Sequence, residues 1–226
     1  MSAAEVITID GPAGVGKSTV GRQVAIRLGL PFIDTGIFYR ALTVAAAGEG
    51  ITVGNRDLLA ELAQRFQVEV NTDPTAEGWR AKVGSRSLDL ELWQPGLAPL
   101  LAYVASQAPV RRALLGLQRA AGSGGAVAVG RDTGTAVFPE ASCKFYLDAP
   151  ETVRLERRRV EFQRRGLGAP EGLVREDVVD RDRQDLTREH SPLTVPPDAV
   201  VIDTEGVSAA EVVELVLARC HRPGPG

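Results

Sequence analysis

Residues 6–19 read VITIDGPAGVGKST, a β-branched run that opens into a glycine-rich loop and closes on lysine and serine. Gly11, Gly16, Lys17 and Ser18 satisfy G-x-x-x-x-G-K-[ST], and each residue type has a physical task. Glycines let backbone N–H groups point inward at phosphate oxygens, and the helix that follows adds the positive end of its dipole. The lysine reaches the β and γ phosphates, and the serine offers its hydroxyl to Mg²⁺. Gly11, Pro12, Ala13, Gly14, Val15, Gly16, Lys17, Ser18 and Thr19 are therefore expected to wrap a nucleoside triphosphate, with Ser18 on the metal. The flanks agree: VITID suits a buried parallel strand, and Val20, Val24 and Leu28 recur at helical spacing before Gly29, a residue suited to end a helix.

Four more short apolar runs follow: PFID (31–34), AVAV (126–129), KFYLDA (144–149) and AVVIDT (199–204). Each is bounded by Gly, Pro or Asp and leads into text of helical character. This alternation predicts an α/β fold, a three-layer P-loop NTPase-type parallel five-stranded sheet flanked by helices. Ser208 with Glu211 forms a capping box ahead of Val212, Leu215 and Val216, so a helix should close the chain. From about Val68 to Leu92 the pattern changes to period two, with Val68 and Val70, then Leu88, Leu90 and Leu92, among turn residues. That stretch predicts a small antiparallel β insertion near 68–92. ALLGLQRAA after Pro109 then predicts a helix returning the chain to the sheet. One unit results, with a core (1–34, 109–150 and 199–221), a region 35–108 carrying the insert, a helical lid over 151–190, and a tail, 222–226, expected to be disordered.

A net charge of −3 leaves no basic excess to release counterions, so neither nucleic acid nor an anionic membrane is an expected partner. The start lacks a basic segment followed by an apolar run, and nowhere do about 18 apolar residues follow one another, so a cytoplasmic protein is expected. Cys143 and Cys220 form no CxxC, and His190 and His221 make no ligand spacing with them. Cys143 reads as a buried, reduced thiol. No amphipathic surplus advertises an interface, and a monomer is expected.

The phosphate loop accounts for one anion, yet cationic residues gather where a second would sit. Thr35 and Gly36 end the PFID strand, and Arg40 stands on a helix beginning near Gly36. GRDTGTAVFP (130–139) puts Arg131 and Asp132 directly after AVAV, and RDRQDLTREHSPL (181–193) packs Arg181, Arg183 and Arg188 with Asp182 and Asp185. The strand ends place these groups at the carboxyl edge of the sheet, where open α/β sheets take ligands. In phosphoryl transfer between two nucleotides, cations must neutralise donor and acceptor alike, and an acceptor phosphate is already an anionic nucleophile that demands no general base. Lys17, Arg40, Arg131, Arg181 and Arg188 are the expected charge clamps. Ten arginines share 151–188 with nine acids, so most of them should form surface pairs worth about 0 to 1 kcal/mol each. Arg154, Arg157 and Arg158 suit a lid that closes over polyphosphate.

ITIDGPAGVGKST, DTGIFYRA, ASQAPVRRALLGLQR, GRDTGTAVFP and RDRQDLTREHSPL, in this order, resemble the bacterial cytidylate kinases, a family of nucleoside monophosphate kinases. The resemblance covers nearly the whole chain and implies transfer of a phosphoryl group from ATP, with Mg²⁺, to CMP or dCMP. Region 35–108 would then bind the monophosphate, its insert matching one that adenylate kinases and eukaryotic UMP/CMP kinases lack. Arg40, Arg131 and Arg188 would hold the CMP phosphate near Thr35 and Tyr39; Ser106, Arg111 and Asp132 would read cytosine; Arg181 and Asp185 would meet the sugar; Arg154 and Arg158 would close on ATP. Two departures stand out: Thr35 where the family often has serine, and the short, proline-bearing link SQAPVR between Ser106 and Arg111. A kinase for UMP, dTMP or shikimate would keep the loop and lid but change Ser106, Arg111 and Asp132. A nucleotide-dependent switch is the rival of another class. Its D-x-x-G is matched by DTEG (203–206), but no N-K-x-D accompanies it.

Overall fold

The computed structural model describes residues 5–77, 80–168 and 170–220, so the expected disorder of 222–226 falls outside the described residues. β1 (Val6–Asp10) leads through the phosphate loop into α1 (Lys17–Leu28), which stops at Gly29 in the left-handed conformation. β2 (Phe32–Asp34) feeds α2 (Gly36–Gly48), and α3 (Arg56–Arg65) follows. Then come β3 (Glu69–Val70), β4 (Ala81–Val83) and β5 (Arg86–Leu88), an antiparallel three-stranded sheet. α4 (Ala98–Ser106) and α5 (Ala108–Ala121) carry the chain back to β6 (Ala126–Gly130) and β7 (Cys143–Asp148). α6 (Glu151–Arg164), α7 (Glu171–Arg175) and α8 (Arg181–Thr187) precede β8 (Val200–Asp203) and α9 (Ala209–Cys220).

The five strands of the main sheet run in the order β2-β6-β1-β7-β8, every neighbouring pair parallel. The expected sheet is thus present with all five strands. Its central strands are apolar on both faces because both are covered. Val20 and Val24 of α1 and Val212 and Val216 of α9 pack with Ile7, Ile9 and Phe145 on one side. Leu42 of α2, Leu59 of α3 and Leu114 of α5 pack with Ile33 and Ala128 on the other. Ala81 and Leu88 join that second core and anchor the small sheet to the body. The capping box at α9 is formed as expected: the Glu211 amide donates to Ser208 Oγ at 3.3 Å, and the Ser208 amide donates to Glu211 Oε2 at 2.9 Å.

Three expectations need correction. The period-two reading ran too far, because β5 ends at Leu88 and Leu90–Trp93 form a 3₁₀ turn. Leu90 is 61% exposed while Leu92 is buried, a split that one face of a strand would not give. α4 had no counterpart in the reading of the text; Pro99 fits its first turn, where the missing N–H has no helical partner to lose. Cys143 is partly exposed rather than buried, and burial together with the neighbouring Cys143 pushes the Cys220 thiol well above the ordinary thiol range.

Candidate active site

The phosphate loop is shaped by backbone positions that only glycine occupies without strain. Gly14 has φ +74° and lies so near the lid that a Cβ there would come within 2.6 Å of the Arg154 carbonyl oxygen. Gly16, also left-handed, turns the chain into α1. Lys17 folds back over the loop and donates from Nζ to the Pro12 carbonyl at 2.6 Å. Burial holds its ammonium well below the ordinary lysine value, and the nearby charge of Arg131 lowers it further. The second effect ties the loop to the other arginines: Lys17 and Arg131 share one field.

A cleft of about 870 Å³ opens between loop, sheet edge and lid. Ala13, Gly14, Val15, Gly16, Lys17, Ser18 and Thr19 line one end, while Gly11 and Pro12 lie outside the lining. Thr35, Tyr39, Arg40, Arg111, Arg131, Asp132, Arg181, Asp185 and Arg188 line the rest. Twelve arginine and lysine side chains face it against six carboxylates, an excess of six positive charges in a chain whose net charge is −3. Such a concentration of one sign in a concave site selects polyanions.

The arginines are held by aspartates of the lid and of the β6 edge. Arg131 Nε donates to Asp185 Oδ2 at 2.8 Å, and Arg188 Nη1 to Asp185 Oδ1 at 2.9 Å. Arg188 Nη2 lies 3.8 Å from Asp132 Oδ1, outside hydrogen-bond reach, and has no other partner among the described residues. Arg111 pairs with Asp132 and donates to the Ala105 carbonyl at 3.1 Å, its Nε remaining unpartnered. Its guanidinium also lies 5.4 Å from the ring of Tyr39, whose hydroxyl burial pushes up to about 12. The SQAPVR link proves to be a helix corner: Gln107 is extended between α4 and α5, and this places Arg111 in the first turn of α5.

Two residues expected at the site spend their hydroxyls elsewhere. Ser106 does not line the cleft; its exposed hydroxyl donates to the Tyr103 carbonyl at 2.7 Å and accepts from Gln107 at 2.9 Å. Thr35 is buried and donates to the Val129 carbonyl at 2.9 Å, which locks the end of β2 to β6. Arg154 is also outside the lining. It brackets the loop from behind, donating to the Ala13 and Ala149 carbonyls at 3.0 Å each and pairing with Asp182. Arg158 does line the cleft, pairs with Asp177 and Glu161, and lies 4.7 Å from the Phe162 ring.

The sequence reading missed four groups. Asp34 accepts from Ser18 Oγ at 2.9 Å, so a carboxylate stands beside the hydroxyl expected on the metal. Asp182 Oδ1 accepts from the Ala13 amide at 2.8 Å and fastens α8 to the loop. Asp177 pairs with Arg158 and lies 3.8 Å from both Arg40 and Arg181. Trp93 lies 4.3 Å from the Arg40 guanidinium and 3.8 Å from that of Arg165. The expectation that most lid arginines form surface pairs holds for Arg159 and Arg183 but fails for Arg154, Arg158 and Arg188, whose partners are buried with them.

A glycine loop between strand and helix, a parallel sheet and a cationic cleft at its carboxyl edge define a nucleotide-binding protein of the P-loop class. Within that class the model of the cytidylate kinase family matches residues 7–222, and the chain belongs to this family. It is 38% identical over 218 residues to the cytidylate kinase of Symbiobacterium thermophilum, covering 96% of both chains. It is 41% identical over 214 residues to a bifunctional pantoate ligase/cytidylate kinase of a Synechocystis strain, covering 94% of this chain but 42% of that protein's length. A gluconokinase from Sinorhizobium meliloti 1021 aligns with 97% of this chain and 93% of its own at 17% identity, with a TM-score of 0.46.

Proposed function

We propose that the protein transfers the γ-phosphoryl group of ATP to CMP or dCMP, giving ADP and CDP or dCDP. The observation that carries this reading is the second cluster of guanidiniums across the cleft from Lys17, beside an arginine and aspartate pair. The loop amides and Lys17 bind the triphosphate. Arg40, Arg131 and Arg188 take the acceptor phosphate, and Arg181 and Asp185 meet its sugar. An acceptor phosphate oxygen attacks the γ phosphorus, the bond from that phosphorus to the β,γ-bridging oxygen breaks, and ADP leaves with the electron pair. The chain supplies positioning and charge for this step, since the nucleophile already carries its negative charge.

Arg111 and Asp132 read the base: a guanidinium complements ring acceptors of cytosine, and a carboxylate accepts from its exocyclic amine. Uracil would set a carbonyl against Asp132. With Ser106 turned outward, base reading falls to these two residues. The hydroxyl of Ser18 and the adjacent carboxylate of Asp34 are hard oxygen donors of the kind Mg²⁺ accepts, and they would hold the ion. Bound there, it would neutralise charge on the β and γ oxygens. Among the described residues no helix is long and apolar enough to cross a membrane. We place the enzyme in the cytoplasm as a monomer, acting on small molecules alone.

Release of ADP from ATP with Mg²⁺, measured with CMP, dCMP, UMP, AMP, GMP, dTMP and shikimate in turn, tests the assignment. Fast release with CMP and dCMP alone is expected. A rate indifferent to every acceptor would replace transfer by hydrolysis and favour the switch.

A further inference from the structure

Arg40 is held differently from Arg111, Arg131 and Arg188; like Arg181, it stays 3.8 Å from Asp177. Arg131 and Arg188 are hydrogen-bonded to Asp185, and Arg111 to Asp132, so each has a carboxylate in contact. Arg40 is buried and donates from Nη1 to a neutral acceptor, the Leu92 carbonyl, at 2.9 Å. Its nearest carboxylate, Asp177, stays at 3.8 Å. A further contact is the Trp93 ring, 4.3 Å from the guanidinium carbon. Leu92 and Trp93 are neighbours on the 3₁₀ turn that closes the β insert. The same ring lies 3.8 Å from Arg165, the residue that ends lid helix α6. One indole therefore gathers a cation from the acceptor arm and a cation from the lid, the latter also paired with Glu161 at 2.8 Å, and its electron-rich ring holds the Arg40 guanidinium without neutralising it.

We propose that Trp93 is a positioning residue for the acceptor phosphate, acting through Arg40. The insert turn holds the guanidinium by a carbonyl and an aromatic face, which fix its direction and leave its charge for a phosphate dianion. Through Arg165, the same ring couples the approach of the lid to the placement of Arg40. The β insert thereby acquires a task at the site, although its strands lie away from the cleft. A ring is required: an aliphatic side chain of similar bulk would fill the space but give the two cations no electron-rich face.

This inference rests on the reading that the cleft takes a phosphate-bearing acceptor, and wild-type turnover decides that reading before any variant is compared. If the wild type uses UMP in place of CMP, the acceptor assignment falls and the comparison is made with UMP, whose phosphate meets the same Arg40. A wild type inert with every phosphorylated acceptor overturns both. The variants are Trp93→Phe, Trp93→Leu and Trp93→Ala, with KM measured separately for acceptor and ATP. Trp93→Leu and Trp93→Ala should raise the acceptor KM about tenfold or more while moving the ATP KM less than about twofold, and Trp93→Phe should stay within about threefold of wild type. Equal behaviour of the leucine and phenylalanine variants would reduce Trp93 to a space filler. A parallel rise in both KM values would make its role structural. Trp93→Leu keeps most of the buried bulk, so the comparison survives if Trp93→Ala fails to fold.

Discussion

Asp132 and Arg111 are paired in the cleft, and both are buried. The two groups that would read cytosine thus pair with one another while Arg111 Nε stays unpartnered, and a base with the matching donors and acceptors would replace that pairing. A base that leaves either unmatched must bear the desolvation of a buried polar group, on the order of 1–3 kcal/mol. Asp132→Asn exchanges an obligate acceptor for a side chain that can also donate, and so removes the objection to a uracil carbonyl. The ratio of kcat/KM for CMP over UMP should fall by about tenfold or more, mainly through loss of CMP turnover. Steady-state kinetics on both acceptors checks this, and an unchanged ratio would remove Asp132 from base reading. Asp132 was legible because its motif directly follows β6, at a strand end where an α/β sheet presents ligand-facing groups, whereas Arg111 stands in the first turn of α5 and was reached only through the family resemblance. Ser106 misled because its neighbourhood is a helix corner whose hydroxyl is consumed by local backbone, a fact of three-dimensional packing that spacing does not encode.

Lid helices α6 to α8 supply carboxylates as well as arginines. Burial pushes the Asp177 carboxyl up, but Arg158, Arg181 and Arg40 outweigh it and hold the group below the usual carboxylate range. Asp185 is likewise pushed up by burial and held down by Arg131, Arg181 and Arg188. Both folded-state values lie below the unfolded one, so the folded protein binds these protons less readily. The stabilisation is complete above the unfolded value of about 4 and drains away as pH falls through the depressed folded values. The thermal stability of the ligand-free protein should therefore fall steeply on the acid side. Asp177→Asn, which leaves Arg158 only the partly exposed Glu161 as a charged partner among the described residues, should cost toward the low end of about 3–5 kcal/mol at neutral pH and flatten that acid slope. A variant as stable as wild type would show Asp177 to be dispensable. The five sheet strands were legible because each is a short apolar run, fully buried in β6 and with one buried core residue, Ile202, even in the exposed edge strand β8. The turn at Leu90–Trp93 was not, because leucines two apart imitate a strand face even where the backbone coils. The buried lid pairs were hidden too: acids and arginines alternate through 151–188, and only packing decides which of them leave water.

Across the whole molecule, charge is distributed unevenly. An acidic chain concentrates an excess of six positive charges in one cleft, and its anionic residues prevail elsewhere. Net charge alone speaks against polyanionic partners, whereas the cleft favours small polyanions that fit inside it; only the three-dimensional arrangement reconciles the two. The phosphate loop and the acceptor cluster share this field, as the effect of Arg131 on Lys17 records. One field spanning both ends suits a reaction that passes a phosphoryl group between two bound phosphates. The most direct measurement follows the phosphoryl group itself, with ATP labelled at the γ position incubated with Mg²⁺ and CMP. The account predicts that the label appears as the β-phosphate of CDP, in step with ADP and with almost none in inorganic phosphate. Label released as inorganic phosphate at the same rate with and without CMP would contradict it.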